Sequence, residues 1–534
     1  LGMSNPGRRK ISSWRDFSAE LKRRGVYPVV AAYAVIAFAV LQVAEITFEP
    51  LGIPNWVMIA LIVVVSGGFP IAVVVSWVYD ISLTGIRKDS DRRDPSPGDD
   101  KMTSIAVLPF ADMSSEQDQG FFCEGIAEEI LNALSKIKQL DVTARSSSFM
   151  YNTGSGDIRE IGRELGVGTV LEGSVRKSGN RVRITAQLVK TRDGYHLWSK
   201  SFDEELRDVF AIQDDIATNI AEALLETLTP SQHESIRSTP TTNVEAYEYY
   251  LRGRHFFNRF RRKDIEFARE MFQEAIRTDE NYAPAWAGYA DCHSFLVMYA
   301  DPRPGYRETA QEASARAVEL APDLAEAHAA RGLSYLVSED FTAAEREFET
   351  ALALNPRLFE AHYYFARTRF HQGRLDEAME LFRSAAEVDP SDFQSRCLRI
   401  QILRGTGRAD QARTEARGAL EVLERHLKMN PDDARAYHLG AGTLIVLGDV
   451  ERAKQWLHKA IEIDPDDPIV LYNVACNLAT LGEIDDSIKY LSRVIEAGTI
   501  SAAWITNDED LANLRGDPRF ERLLRVLEQG GQGS

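Results

Sequence analysis

Two long uncharged runs stand near the start of the chain, VYPVVAAYAVIAFAVLQVA at residues 26–44 and WVMIALIVVVSGGFPIAVVVSWVY at residues 56–79. At about 1.5 Å per residue they make helices of roughly 28 and 36 Å, enough to cross a hydrocarbon core of about 30 Å. They predict two spanning helices, over 26–47 and 56–79. Trp56, Trp77 and Tyr79 lie near the ends of the second, where amphipathic rings prefer the headgroup layer. Pro70 after Gly67 and Gly68 predicts a kink. A cleaved leader fits the first run poorly, because the run is long and a second follows at once.

From residue 103 the pattern shortens. SIAVLPF has the composition of a buried strand, and residues 121–137 space their apolar side chains along one helix face. LDVTARSSSFMY predicts a strand, and DIREIGRELG a short helix with Asp157 as N-cap and a closing Gly. Val182, Ile184, Ala186 and Leu188 alternate with Arg181, Arg183, Thr185 and Gln187 after a Ser178-Gly179-Asn180 turn, the pattern of a hairpin. YHLWSKSF predicts a last strand, and VFAIQDDIATNIAEALLETL a closing amphipathic helix. The order β-α-β-α-β-β-β-α makes a small α/β domain over 103–229.

Beyond residue 245 a different period takes over. GRLDEAMELFRSAAEVDP at 373–390 returns as GDVERAKQWLHKAIEIDP at 448–465. Pro322, Pro356 and Pro390 are 34 apart, as are Pro431 and Pro465. Helix-turn-helix content at that period is the signature of tetratricopeptide repeats. Small residues recur where two helices approach closely, as in Ala344, Ala378, Ala412 and Ala453. In four units a large apolar residue stands four places after that column, Phe348, Phe382, Leu457 and Leu491, and Gly373, Gly407, Gly448 and Gly482 fall where a first helix must stop. About seven units fit over 245–501. The spacing widens at Glu280 to Pro322 and at Pro390 to Pro431, so units two and five carry longer helices or loops. Residues 502–534 depart from the pattern and are placed to cap the last apolar face. The predicted architecture is multidomain: a two-helix transmembrane hairpin, a small α/β domain, then an all-α tetratricopeptide-repeat superhelix.

Charge refines this picture. Asp and Glu outnumber Lys and Arg by 80 to 62, a net charge of −18, which argues against general nucleic-acid binding. The arm at 1–25 is basic nevertheless. Arg87, Lys88, Arg92 and Arg93 follow the second run, whereas the connector ITFEPLGIPN has neither Lys nor Arg. By the positive-inside tendency both ends of the hairpin, and all the later domains, lie in the cytoplasm. Residues 81–102 and 230–244 read as linkers, one charged and the other rich in Ser, Thr and Pro. Four scattered cysteines with no CxxC spell neither a disulfide framework nor a zinc site.

No catalytic constellation emerges. NTGSGDIREIG lacks the glycine spacing and the Gly-Lys-Ser/Thr of a phosphate loop, so a connection capped by Asp157 is the better reading. His196 and Trp198 alternate on a strand as a core or surface pair. Glu124, Glu128 and Glu129 share a helix, and with no second acidic cluster a solvated face is preferred to metal ligation. The chain reads as no enzyme, with no cofactor and no metal.

IAVLPFADMSSEQDQGFFCEGIAEEILNALSKI, TARSSSF, IREIGRELGVGTVLEGSVRKSGNRVRITAQLV and GYHLWSKSFDEELRDVFAIQDDIA together resemble the TolB amino-terminal-like (FlgO-like) domain, which occurs in bacterial proteins ahead of tetratricopeptide repeats. LKRRGVYPVVAAYAV and the spanning pair resemble the anchor of the same bacterial membrane proteins. Some of those carry a cyclase, kinase or winged-helix domain in front, for which the 26 residues before the first span are too few. The resemblance implies an accessory module in the cytoplasmic membrane of a bacterium, multi-pass, with no catalytic residue to transfer.

In that repeat family, first-helix positions 2, 5, 9, 12 and 13 line the inner groove. Here they include Asp291, Leu333, Tyr363, Arg367, Phe370, His371, Gln401, Arg404, His438 and Tyr472. Tyr363, Arg367, Phe370, His371 and Arg404 make a mixed aromatic and basic patch, a seat for a peptide with an acidic side chain or C-terminal carboxylate. The alternative is a solvated inner wall. Two functions fit: a membrane-anchored adaptor that binds protein partners in the groove, or a sensory or regulatory component of a cyclase-, kinase- or transcription-regulator-associated system. Lipid contact is expected through 26–79, nucleic acid is not, and a homo-oligomer is left open.

Overall fold

The computed structural model describes residues 103–151, 156–225, 228–236, 241–299, 305–497, 505–506 and 508–530, strand residues 79–82 and 85–88, and scattered positions between 37 and 65. The chain separates into two compact units, 1–96 and 97–534.

In the first unit, the two apolar runs lie outside the described residues except at Ala37, Leu41, Gln42, Ala44, Val57, Met58, Leu61 and Val65, which are helical. Among the described residues, no helix is long and apolar enough to cross a membrane. Strands β1 (Tyr79–Ser82) and β2 (Gly85–Lys88) pair antiparallel with Ile81 opposite Ile86. The segment expected to be a linker thus opens with a two-stranded ribbon.

The second unit begins with β3 (Ser104–Val107), β4 (Ala111–Asp112), α1 (Gly120–Ser135), β5 (Asp141–Val142), α2 (Arg145–Ser148), α3 (Ile158–Leu165), β6 (Thr169–Ser178), β7 (Arg181–Lys190), β8 (His196–Glu205) and α4 (Val209–Leu225). The sheet runs β5-β3-β6-β7-β8, and β4 also pairs with β6. β3 lies parallel to β5 and β6, while β6, β7 and β8 are antiparallel neighbours. The alternating set Val182, Ile184, Ala186 and Leu188 is fully buried, packed in one core with Ile126 and Ile130 of α1 and Ile216 and Ile220 of α4. Asp157 caps α3 by accepting from the Arg159 N–H, and Gly166, at φ 67°, ends it. The strand expected over LDVTARSSSFMY is confined to Asp141–Val142. After it the chain turns into α2, because the serines bond elsewhere: Ser147 Oγ donates to Asp389 Oδ1 at 2.7 Å and Ser146 donates to its other oxygen. The second expected linker contains a short helix, α5 (Pro230–Ile236). Pro at its first position has no N–H to satisfy, and Ile236 is buried against the domain core.

Fourteen antiparallel helices follow as seven hairpins among the described residues: α6 (Val244–Phe257) with α7 (Arg262–Thr278), α8 (Ala283–Tyr299) with α9 (Tyr306–Leu320), α10 (Ala325–Val337) with α11 (Phe341–Leu354), α12 (Phe359–His371) with α13 (Leu375–Val388), α14 (Gln394–Gly405) with α15 (Ala409–Met429), α16 (Ala434–Leu447) with α17 (Val450–Ile463), and α18 (Pro468–Thr480) with α19 (Ile484–Glu496). Ala344, Ala378, Ala412 and Ala453 are buried to within 1%, as the close approach demands. Gly373, Gly407, Gly448 and Gly482 take φ of 74°, 74°, 83° and 79° at the inner turns, a conformation only Gly adopts without cost. The widened spacing of unit five goes into helix: α15 has 21 residues where α13 and α17 have 14. Seven residues are close to two turns, so the apolar face continues in phase. The added turns bury Leu423 and Leu427 against Phe393, Cys397 and Ala436. At the far end a 3-10 turn (Glu509–Leu514) and α20 (Pro518–Gly530) place Leu511, Leu514 and Phe520 on Leu471 and Leu491, covering the last repeat.

The α/β domain is docked on this array through α1. Gly125 lets α1 approach α6 so closely that a Cβ there would stand 2.5 Å from Leu251 Cδ2. One turn on, the Glu128 carboxylate is buried between two guanidinium groups, Arg145 Nε at 2.7 Å and Arg254 Nη2 at 2.6 Å. Glu124 accepts from Arg145 at 3.4 Å and sits 3.0 Å from His255 Nδ1. Arg357 reaches back from the α11–α12 turn to Asp141 and the Val142 carbonyl. The acidic face expected to be solvated is therefore the domain interface. Burial opposes ionisation of Glu128, but Arg254 and then Arg145 hold its carboxyl down at about 2.

Candidate functional site: the groove of repeats five to seven

The array winds until its sixth hairpin meets the first two. The Arg435 guanidinium at the start of α16 lies 5.6 Å from the Phe260 ring, 5.9 Å from Phe295 and 5.2 Å from Tyr299, and Arg261 pairs with Asp432. This closure fills the inner wall of the early repeats with the protein's own side chains. Arg367 lies over the Tyr299 ring at 5.0 Å and donates to its hydroxyl. Burial and the nearby Arg435 lower its pKa to about 10. Tyr363 and Leu333 are core residues, the former packed edge-on against Phe382 at 5.8 Å. Phe370 and His371 are exposed at the end of α12, with the imidazole stacked on Phe341. Asp291 faces Arg254, yet burial outweighs that charge and raises its pKa to about 8. The aromatic and basic patch expected from the repeat positions is thus not one surface.

A second group does come together. Gln401 and Arg404 of α14, His438 of α16, Asn473 and Asn477 of α18, and Asp510 of the cap line one cleft of about 370 Å³, open mouth included. Each comes from the inner helix of its hairpin, except Asp510, which the capping turn brings over the rim. Arg404 forms an ion pair with Asp510, so its charge is already matched. Tyr472, one residue before Asn473, donates to Asp508 at 2.6 Å and serves the cap rather than the cleft.

His438 is 3% exposed, and neither ring nitrogen has a hydrogen-bond partner among the described residues. Burial, and then the charge of Arg435, lower its pKa to about 3, so the imidazole is neutral at physiological pH, with one donor and one acceptor. Asn473 Nδ2 donates to the Ile469 carbonyl at 2.8 Å, and Asn477 Nδ2 to the carbonyls of Asn473 at 2.8 Å and His438 at 3.3 Å. Carbonyls can be met only by the amide nitrogen, which fixes both side chains with their oxygens as acceptors. Of the ten groove residues named from the sequence, the structure brings Gln401, Arg404 and His438 together. Asn473 and Asn477 carry no groove signal in the sequence, because each stands one place beyond a groove position. Asp510 lies outside the repeats and carries no positional signal.

Comparison with known proteins agrees with this layout. Residues 329–393 and 410–475 match two tetratricopeptide repeat models, and residues 100–219 match the second domain of HilA/YgeH-like transcriptional regulators. A Rhizobium meliloti protein named putative adenylate cyclase 3 is 42% identical over 194 residues, 36% of this chain and 33% of that one. The transcriptional regulator HilA of Salmonella typhimurium is 22% identical over 331 residues, 61% of this chain and 58% of that one. The chain thus spans a third and somewhat over half of these two relatives. Among solved structures, YrrB, described as a TPR protein with an unusual peptide-binding site, is 23% identical and covers 38% of this chain and 95% of its own at a TM-score of 0.24. The human IFIT1 dimer with PPP-AAAA is 16% identical and covers 61% and 80% at a TM-score of 0.41. The chain thus carries tetratricopeptide repeats, matched over 329–393 and 410–475, within seven stacked hairpins that follow a small α/β domain.

Proposed function

We propose that the protein is a membrane-anchored, non-catalytic scaffold that holds an extended segment of a partner protein in the groove of repeats five to seven. The observation that carries this reading is the cleft between α14, α16 and α18. There both ring nitrogens of the buried His438 lack partners among the described residues, an arrangement that costs stability unless something else satisfies it. The early groove is filled by Arg435 and Arg367, so binding falls to the later repeats. The anchor rests on the hydropathy of 26–47 and 56–79 and on their basic flanks, with both ends in the cytoplasm. The α/β domain, read as TolB amino-terminal-like, then acts as an accessory module fixed to the array through Glu128.

Photo-crosslinking in native membranes tests this. A benzophenone side chain at Gln401 should trap a discrete partner that the same group at the outward-facing Glu380 does not. Identical patterns from both positions would refute the reading. A reporter fused after residue 534 that is active only outside the cytoplasm would refute the topology. A second reading, a regulatory component of a signalling system, is favoured by the identity over 194 residues with a protein named as an adenylate cyclase and by the match to a transcriptional regulator's second domain. A cyclase or regulator as the trapped partner would select it.

A further inference from the structure

The lining of the late-repeat cleft is uncharged in effect. The one cation on its wall, Arg404, is paired with the one anion, Asp510. His438 is buried, and Arg435 beside it opposes a second positive charge. What the lining offers among the described residues is a mixed set: the half-buried acceptor oxygens of Asn473 and Asn477, the exposed Gln401 amide, and the buried, partnerless donor and acceptor of the neutral imidazole. A carboxylate offers acceptors alone and would face the asparagine oxygens with no free cation to offset its desolvation. An ammonium would lose its water beside Arg435. A primary carboxamide offers two donors and an acceptor on one planar group, which matches the set.

Resting on the scaffold reading above, we infer that the cleft of Gln401, His438, Asn473 and Asn477 is a subsite for an uncharged side-chain amide, Asn or Gln, on an extended partner segment. It discriminates against the acidic residue that an arginine-lined groove would take. It would be a specificity site on the open groove, within a longer contact.

The test uses the full chain in detergent, labelled with ¹³C-histidine, with the His438 signal identified by its loss in H438F. N-acetyl-glutamine methylamide should shift that signal with a dissociation constant on the order of millimolar, as expected for so small a probe. N-acetyl-glutamate methylamide should bind at least about tenfold more weakly. N477L should abolish the response while the exposed His458 signal keeps its position. D510N, which frees Arg404, should raise the affinity of the glutamate probe. Equal shifts from both probes, a shift from glutamate alone, or no shift with the glutamine probe at about 50 mM would each overturn the inference. A partner crosslinked at Gln401 with no probe response would overturn the amide subsite and leave the scaffold standing. A probe response without a crosslinked partner would support the subsite and count against the scaffold.

Discussion

Replacing Glu128 by Gln keeps the volume of the side chain and removes the one charge between Arg145 and Arg254. Two estimates of the cost agree. The carboxyl is held at about 2 against an ordinary 4.5, a difference worth roughly 3 kcal/mol of native-state stabilisation. Removing one partner from a buried ion pair costs about 3–5 kcal/mol. Because Arg145 and Arg254 keep 23% and 21% of their side-chain surface exposed and can be partly rehydrated, the lower figure applies. Hydrogen exchange of the full chain, followed by mass spectrometry, reads the interface directly. In E128Q the amides of α1 and α6 should exchange about 150-fold faster, which is 3 kcal/mol expressed as a ratio, while α18 and α19 stay unchanged. E380Q, which breaks the exposed pair with Arg383, serves as control and should change protection by less than about 1 kcal/mol. The sign with pH is fixed. A depressed carboxyl contributes its stabilisation above pH 4.5 and loses it as pH falls from there through 2, so wild type should lose its advantage over E128Q in that window. Protection of α1 and α6 altered less than about fivefold by E128Q would refute the claim that this carboxylate fastens the two domains.

Other consequences are open to test. Burial raises Glu129 to about 7, with the charge of Glu128 adding to the effect, and raises Asp291 to about 8. Their contribution to stability around α6 is therefore complete below about pH 4 and lost as pH rises through 7 to 8; E129Q/D291N should flatten the pH dependence of α6 exchange and be more protected than wild type at pH 8. A Cβ at Gly332 would stand 2.7 Å from the buried Phe348 ring, so G332A should destabilise the third hairpin by about 1–3 kcal/mol, seen as a lowered denaturation midpoint. Leu423 is fully buried in the added turns of α15, and L423A should cost about 2–5 kcal/mol in the same assay. All four cysteines are buried and free, with Cys123 and Cys397 pushed up to about 12 by burial; iodoacetamide at pH 8 should modify none of them in the folded chain and all four in urea.

The repeats were legible because their physics is local. A hairpin that buries an alanine against a neighbouring ring four residues on must write small and large residues at fixed spacing, and Gly373, Gly407, Gly448 and Gly482 mark turns that other residues enter only with strain. The β6–β7 hairpin was legible for a like reason, since Val182 to Leu188 alternate with the pleat. Segments whose backbone or side chains bond to distant partners were not. LDVTARSSSFMY has strand composition, yet its serines reach Asp389, 243 and 242 residues away, and the helix they form depends on that partner.

What the sequence determined by itself was the inventory: seven hairpins, a small α/β domain ahead of them, and the side chains on each inner helix. Tertiary structure alone decided which of those side chains remain available. Glu128 is an exposed carboxylate by pattern and an interface residue in space, because Arg254 arrives from 126 residues further on. Arg435 fills the early groove and Asp510 neutralises Arg404 for the same cause. Small rotations between successive hairpins add up over five or six repeats, and that sum, absent from any one repeat's residues, sets which walls meet and where a cleft is left.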